Sequence, residues 1–577
     1  MNLKLTDCLA KILKKNNVKN VFGLQGGAVV HIFDSLEKSK FKVTYTNHEQ
    51  SAGLAAVADA KIENNIGCVV VTTGPACTNV ITGLLAAWQD SVPTIFISGQ
   101  ARSNHTSYGK KVRQVGTQEV NICDVVKPLT KYAVFIKKKE HFIKEFNKAI
   151  RIATTGRHGP VWLDIPLEIQ WSVIKYNSTQ LPKKKLKYKK KNYSKKFLNL
   201  YENSKKPLLI LGYGTRSSTS IKKKLLKVIN KHKLNYVSTW NAADLYGTSD
   251  KKNLGIIGMS GQRGANKAVF ESDLIICLGT HLSIPHTTTL YDSYAKNSKK
   301  IIVNIDNDQM NNLNLKFDLK IHEDLNIFLD FFLKINKESK KWLTDHLKIQ
   351  NWYDPKKSKK PNSDIFIHNI TKKIKNKCLI IDGGGTALFS GFQSSFLHKN
   401  DRLICSSAIS SMGTGLAESI GSSASKKFKN YVCIIGDGSL LMNIQDLQTI
   451  SQKNINLIII LVNNNGYLAI RHTQSEFLKK KYYGTHPDWG LTMPDFKKIS
   501  KSFGLNYIKI TKSNNLNTQI EKIIKKKRPI VCELIVDEKQ PPLFKQGYIK
   551  KENGLFEPQP LSEMFPFLDK LIANTNN

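Results

Sequence analysis

The sequence predicts an α/β fold built from three doubly wound parallel-sheet domains, and three observations carry that prediction. A chain of 577 residues exceeds one hydrophobic core; at about 100–200 residues per domain it divides into three or four units. Short apolar, β-rich runs that end in Gly, Asp or Asn recur throughout, with helical stretches between them. Continuous apolar runs, as opposed to alternation, mark strands buried on both faces, the pattern of parallel sheets covered by helices. Finally, two Lys/Pro/Ser/Asn-rich interruptions, at about 174–196 and 351–363, separate three blocks. The expected domains are residues 1–173, 197–340 and 362–577.

In chain order, the strand-like runs fall at residues 42–46, 68–74 and 94–99, then 208–212, 274–279 and 301–306, then 378–382, 432–436 and 457–462. All are of strand length. An Ala-rich stretch over residues 50–60 reads as a helix after the first run, and Ile444, Leu447 and Ile450 recur at helical spacing after residue 436. No short-period repeat is visible, and the first and third blocks are candidates for a shared fold.

Composition excludes several classes. Apolar residues at 41%, with Gly and Pro near ordinary usage, exclude disordered and collagen-like chains. No apolar stretch reaches the roughly 20 residues of a spanning helix. The first 17 residues alternate Leu and Ile with Lys and Asp at helical spacing, so neither signal peptide nor membrane anchor is expected. Nine cysteines, an odd number without a CxxC pair, read as reduced core residues of a cytoplasmic protein. The 88 Lys and Arg against 45 Asp and Glu leave a formal charge of +43, which would suit a polyanion. These lysines are dispersed over polar faces, and the densest group, Lys183 to Lys191, falls in an expected linker. No nucleic-acid-binding pattern accompanies them, so no specific nucleic acid is expected. A non-catalytic polyanion-binding protein is the remote alternative.

The third block carries the chemistry. Its run 432–436 leads straight into Gly436, Asp437, Gly438 and Ser439, and the run 457–462 ends in Asn463, Asn464, Asn465, Gly466 and Tyr467. A helix and a strand fill the 27 positions from Asp437 to Asn464 and return both residues to the carboxyl edge of one sheet, where open α/β folds bind ligands. The Asp437 carboxylate, the Asn464 amide oxygen and the Gly466 carbonyl are hard oxygen donors suited to Mg²⁺ bridging a phosphorylated ligand. The glycines admit a diphosphate, and a helix expected to begin near Asn443 would point N–H groups at it. Either half of the motif alone is an ordinary turn or strand exit. Joined at this spacing, the halves are specific.

The pairing resembles the thiamine diphosphate signature. By that resemblance the first block supplies an activating carboxylate, and Glu49, at a strand end and helix start, fits. In such enzymes a glutamate hydrogen-bonds the aminopyrimidine and promotes loss of the thiazolium C2 proton. From its position alone, Glu49 serves equally as a favourable first-turn charge. Segments 21–28, 48–53, 72–79, 118–119, 159–166 and 411–416 resemble acetolactate synthase and its relatives, across nearly the whole chain. The resemblance implies pyrimidine-binding, middle and diphosphate-binding domains in that order, with thiamine diphosphate and Mg²⁺ as cofactors. It places Met412 under the folded cofactor, Gly27 and Gln118 at the reaction pocket, and Gly383, Gly384, Gly385 and Thr386 near the diphosphate with Gly436, Gly438 and Ser439. It further implies a homodimer or homotetramer in which Glu49 of one subunit faces the metal site of the other. The implied activity is a carboligase that decarboxylates pyruvate or a related 2-keto acid and transfers the two-carbon unit to an acceptor carbonyl.

In the middle block, Gly212, Gly214, Arg216 and Arg263 lie in segments that resemble the flavin-holding parts of some members, which makes FAD a candidate. A middle domain that holds nothing is the alternative, since Gly279-Thr280-His281 departs from the Gly-x-Arg of flavin members. Thr473 stands where acetolactate synthases carry a bulky Trp, and Thr117 replaces an aromatic. Two lost aromatic walls leave volume for a larger acceptor. Segments 240–244 and 560–568 resemble a subgroup whose members transfer to a nucleotide-linked keto sugar. That acceptor, or a bare proton in a simple 2-keto acid decarboxylase, are the alternatives to a second keto acid.

Overall fold

The computed structural model describes residues 1–176, 193–338, 342, 344–352, 355, 358–552 and 556–567. The lysine group 183–191 and the last residue of segment 560–568 lie outside the described residues. Three parallel six-stranded sheets form the frame, as the apolar runs predict. In the first, β1 (Asn20–Gly23), β2 (Lys42–Tyr45), β3 (Gly67–Val71), β4 (Thr94–Gln100), β5 (Tyr132–Phe135) and β6 (Val161–Pro166) lie in the order β2-β1-β3-β4-β6-β5. In the middle sheet, β7 (Pro207–Leu211), β8 (Asn235–Ser238), β9 (Asn253–Ile256), β10 (Leu274–Leu278), β11 (Lys299–Asn304) and β12 (Leu319–His322) lie in the order β9-β8-β7-β10-β11-β12. The third contains β13 (Lys377–Ile381), β14 (Arg402–Ile404), β15 (Asn430–Gly436), β16 (Leu457–Asn463), β17 (Asn506–Ile510) and β18 (Ile530–Ile535), ordered β14-β13-β15-β16-β18-β17. First and third sheets thus share one strand order, the kinship expected of those blocks.

Burial explains the runs. Every residue of β3, β7, β10 and β13 is buried, because helices cover both faces and leave no position for a polar alternate. Edge strand β2, covered less, has no buried residue. All nine cysteines are buried and unpaired, as core residues should be. Among the described residues no helix is long and apolar enough to cross a membrane.

The helices that position the site sit at the carboxyl edges of the first and third sheets. Helix α1 (Glu49–Glu63) follows β2; the His48 ring accepts from the Gln50 N–H at 3.1 Å, and left-handed Asn64 ends it. In the third block come α2 (Gly385–Ser394), α3 (Thr414–Ala424), α4 (Asp437–Met442), α5 (Asp446–Gln452) and α6 (Leu468–Phe477). The small residues of α1 let it lie along α3, with Leu54 against Ala417. At the far end of α1, Lys61 Nζ donates to Asp90 at 2.7 Å and to the Cys405 carbonyl at 2.8 Å, all out of water.

One expectation is corrected here. The helix placed near Asn443 begins earlier, at Asp437 itself, and is broken into α4 and α5. The cause is Asn443, whose side chain donates to the Gly413 carbonyl at 2.7 Å while its backbone leaves the helical region. The N–H groups nearest the candidate diphosphate are therefore those at the start of α4.

Candidate active site

Strands β15 and β16 are neighbours, so Asp437 and Asn464 emerge side by side. Asp437 Oδ1 accepts from the Gly438 N–H at 2.8 Å, and Oδ2 accepts from the N–H groups of Asn464 at 3.2 Å and Gly466 at 3.0 Å. Burial pushes this carboxyl up to about 6, against the pull of those N–H groups and of Arg471. The Asn464 amide donates to Thr386 Oγ at 3.2 Å, while its Oδ1 is buried and has no hydrogen-bond partner among the described residues. Gly466 has φ +126°, and a Cβ there would lie 2.3 Å from the Thr485 carbonyl, so only glycine fits. Sequence reasoning missed Arg471: its guanidinium donates to the carbonyls of Asn464 at 2.7 Å, Asn465 at 3.1 Å and Thr485 at 2.7 Å and locks the loop. The only signal was an Arg one turn into the helix after Asn-Asn-x-Gly.

Opposite this loop stands the segment after β13. A Cβ on Gly384 would come within 2.2 Å of the Met412 side chain and 3.2 Å of Ser439 Oγ, so the three sequence candidates Gly384, Met412 and Ser439 converge. Gly383 lies against Ser411, and Gly385, at φ +56°, faces open space at the start of α2. Asp382, also missed, organises them: its carboxylate accepts from Gly384 N–H at 3.2 Å and Gly415 N–H at 3.0 Å, and burial pushes it up to about 6. An Asp ending an apolar strand before three glycines was the available signal.

On the first sheet, Glu49 is 8% exposed and its Oε2 accepts from Asn79 Nδ2 at 3.0 Å. Gly27 and Gln118 lie on the same carboxyl edge, exposed, around Thr72 and Gly74. Among the described residues no hydrogen bond joins Glu49, Gly27 or Gln118 to the Asp437 half. The nearest link is Asn47, whose amide donates to the Gln445 carbonyl at 3.3 Å and Thr449 Oγ at 3.2 Å.

Family models match in the same three parts: the thiamine pyrophosphate enzyme N-terminal TPP binding domain over residues 3–125, its central domain over 194–331 and its C-terminal TPP binding domain over 383–534. The acetolactate synthase large subunit of Cyanidium caldarium is 30% identical, with 92% of each chain covered. That of Haemophilus influenzae is 29% identical over 96% of this chain and 98% of its own. Escherichia coli acetolactate synthase isozyme 2 large subunit is 27% identical over 91% and 94%. The chain belongs to the thiamine pyrophosphate enzyme family. It is a thiamine diphosphate-dependent enzyme similar to acetolactate synthase large subunits.

Two cavities adjoin the frame of this thiamine diphosphate enzyme. The larger, about 1660 Å³, runs along the carboxyl edge of the middle sheet and is lined by Gly214, Arg216, Gly279 and His281, with Arg157 from the first block. Arg216 lines it but is ion-paired with the buried Asp244, which also holds Arg402 at 2.8 Å. Of the other flavin candidates, Gly212 packs against Gly279 and Thr280 beside the cavity. The Arg263 guanidinium donates to the Pro566 carbonyl and lies over the Phe544 ring at 4.9 Å, so it anchors the C-terminal segment, and it is not part of this cavity's lining. The smaller cavity, about 360 Å³, adjoins Thr386 and is lined by Thr473, the residue expected to widen the acceptor pocket. Gly27 and Gln118 line neither cavity.

Proposed function

We propose that this chain is a Mg²⁺-dependent carboligase that decarboxylates pyruvate or a related 2-keto acid and transfers the two-carbon unit to an acceptor carbonyl. The observation that carries it is the third-sheet edge, where Asp437, Asn464, Met412 and Gly384 converge. A cation fits there. The orphaned Asn464 Oδ1 is a buried lone pair that is costly to leave unpaired. The donors are oxygens, as Mg²⁺ prefers, and a divalent charge would offset the burial that raises the Asp437 carboxyl. Among the described residues there is no cluster of three His, Cys, Asp or Glu side chains to offer an alternative metal set.

In this reading Asp437, Asn464 and the Gly466 carbonyl hold the metal, and Gly383, Gly385, Thr386, Gly436, Gly438 and Ser439 border the diphosphate. Met412, against Gly384, would support the cofactor, which when bound would supply the electron sink for decarboxylation. Glu49, largely buried, would hydrogen-bond the aminopyrimidine. Residues 1–173, 197–340 and 362–577 are the three domains. Glu49 and the metal set belong to opposite subunits of a homodimer or homotetramer, a reading that accords with their standing on different sheets with no hydrogen bond between them among the described residues. Gly27 and Gln118 then meet the pocket from the partner.

Two further readings rest on cavities. The larger cavity is wide enough for FAD on Gly214 and Arg216, and a yellow preparation with flavin absorption bands tests it. Thr473 on the smaller cavity favours an acceptor larger than pyruvate, a nucleotide-linked keto sugar among them. Incubation with pyruvate, thiamine diphosphate and Mg²⁺, with and without added carbonyl acceptors, followed by mass spectrometry, tests the main proposal. Release of CO₂ with a new carbon–carbon product is expected; if no 2-keto acid loses CO₂, the proposal is wrong.

A further inference from the structure

An activating carboxylate works only if its oxygens are aimed, and the structure shows what aims Glu49; the inference rests on the role proposed for that residue above. The backbone around Glu49 is fixed within its own chain. Thr46 Oγ donates to the His48 carbonyl at 2.8 Å, the His48 ring caps α1, and the Asn47 amide is held on α5 by the Gln445 carbonyl and Thr449 Oγ. None of these bonds reaches the Glu49 side chain, which still turns about several bonds of its own.

The hold on the carboxyl comes from Asn79. Its Nδ2 donates to Glu49 Oε2 at 3.0 Å, and among the described residues no other hydrogen bond ends on that carboxyl. Oε1 is left for the aminopyrimidine, and the 8% exposure of Glu49 is the opening through which a ligand reaches it.

Two glycines bring Asn79 to this place. Asn79 ends the short helix Pro75–Asn79, and the helix Ile81–Gln89 follows after Val80. Gly53 lies four residues along α1 from Glu49, and Gly83 lies the same four residues beyond Asn79. The helices touch at that pair. A Cβ on Gly83 would stand 2.7 Å from Gly53 Cα, and a Cβ on Gly53 would stand 2.8 Å from Val80 Cγ2. A side chain on either glycine would part the helices, so the distance from Asn79 to Glu49 is set by main chain. An amide also suits the task chemically. Its neutral N–H restrains one carboxylate oxygen without adding a charge that would oppose the return of a proton to Glu49.

We propose that Asn79 is the positioning residue of Glu49: it binds Oε2 and so turns Oε1 toward the aminopyrimidine of the cofactor. It acts through Glu49 and touches no reacting atom.

The test follows exchange of the cofactor's C2 proton by NMR in the full-length protein saturated with thiamine diphosphate and Mg²⁺. Beside it are read the calorimetric Kd of the cofactor and the thermal midpoint of the cofactor-free protein. Asn79→Leu keeps the branching of the side chain and removes the donor. Exchange is expected to slow about 10–100-fold, the scale of a hydrogen bond to a charged group, while Kd and midpoint stay near wild type. Asn79→Gln, which keeps the N–H on a longer stem, should recover part of that rate. Exchange in Asn79→Leu within about threefold of wild type overturns the proposal. So does a Kd weakened as far as exchange is slowed, which would make Asn79 a cofactor-binding residue. A Gln variant no faster than the Leu variant overturns it too, since shape and not the N–H would then be the cause. If Asn79→Leu does not fold, Asn79→Ser takes its place under the same criteria. Glu49→Gln is run alongside: exchange there at the wild-type rate ends the role of Glu49 itself, a result separate from Asn79→Leu failing to slow a reaction that Glu49→Gln does slow.

Discussion

Single residues make the sharpest predictions. Glu49→Gln keeps the side-chain shape and removes the exchangeable carboxyl proton. Cofactor affinity should stay near wild type while exchange of the cofactor's C2 proton, followed by NMR, slows by about 10²–10⁴-fold, the scale of general acid–base catalysis. Exchange at the wild-type rate would remove Glu49 from that role. A second prediction concerns pH. Burial, with a contribution from His281, pushes His286 down to about 3, and its ring stacks edge-on to Trp240 at 5.7 Å. The native state then holds a neutral imidazole where the unfolded chain takes up a proton near 6.5, so this residue's contribution is complete above about pH 6.5 and is lost as pH falls toward 3. His286→Phe should show a shallower loss of Tm between pH 6.5 and 4 than wild type; parallel profiles would contradict the assignment.

Elements explain which parts of the site could be read from sequence. The side-by-side placement of Asp437 and Asn464 was legible because buried parallel strands have a composition of their own, so two strand exits fix two positions on one sheet edge without tertiary knowledge. The place of Glu49, after β2 and at the start of α1, was legible for the same reason. The break between α4 and α5 was not, because it depends on Asn443 reaching Gly413, 30 positions away. The hold of Arg263 on the Pro566 carbonyl was not legible either, because that partner lies 303 positions on. Asp382 and Arg471 act through backbone N–H and carbonyl groups, which no side-chain motif records. The buried ion pair at the far end of α1 gives an element-scale test. Lys61 and Asp90 are both out of water, so Asp90→Asn leaves a buried ammonium without its counter-charge and should cost about 3–5 kcal/mol in urea unfolding. Adding Lys61→Met should recover part of that loss; a single substitution costing under 1 kcal/mol would show that the pair is solvated.

For the whole molecule, three sheets of two strand orders place three ligand edges in one chain, and the first and third hold the two halves of the thiamine diphosphate site. If the halves meet between subunits, two inactive variants should complement one another. Co-expressed Glu49→Gln and Asp437→Ala chains mix into heterodimers with one intact site, and about a quarter of all sites should be active under random pairing. No recovery in isolated heterodimers would place both residues in one subunit's site. The formal charge of +43 sets no such geometry and is expected to show only as weak, salt-sensitive attraction to polyanions. What all of this rests on is a divalent ion held by Asp437 and Asn464. Calorimetric titration of thiamine diphosphate into the protein tests it most directly: saturable heat in the presence of Mg²⁺, lost with EDTA and in Asp437→Ala, is predicted, whereas no heat with Mg²⁺, or equal binding by Asp437→Ala, would contradict it.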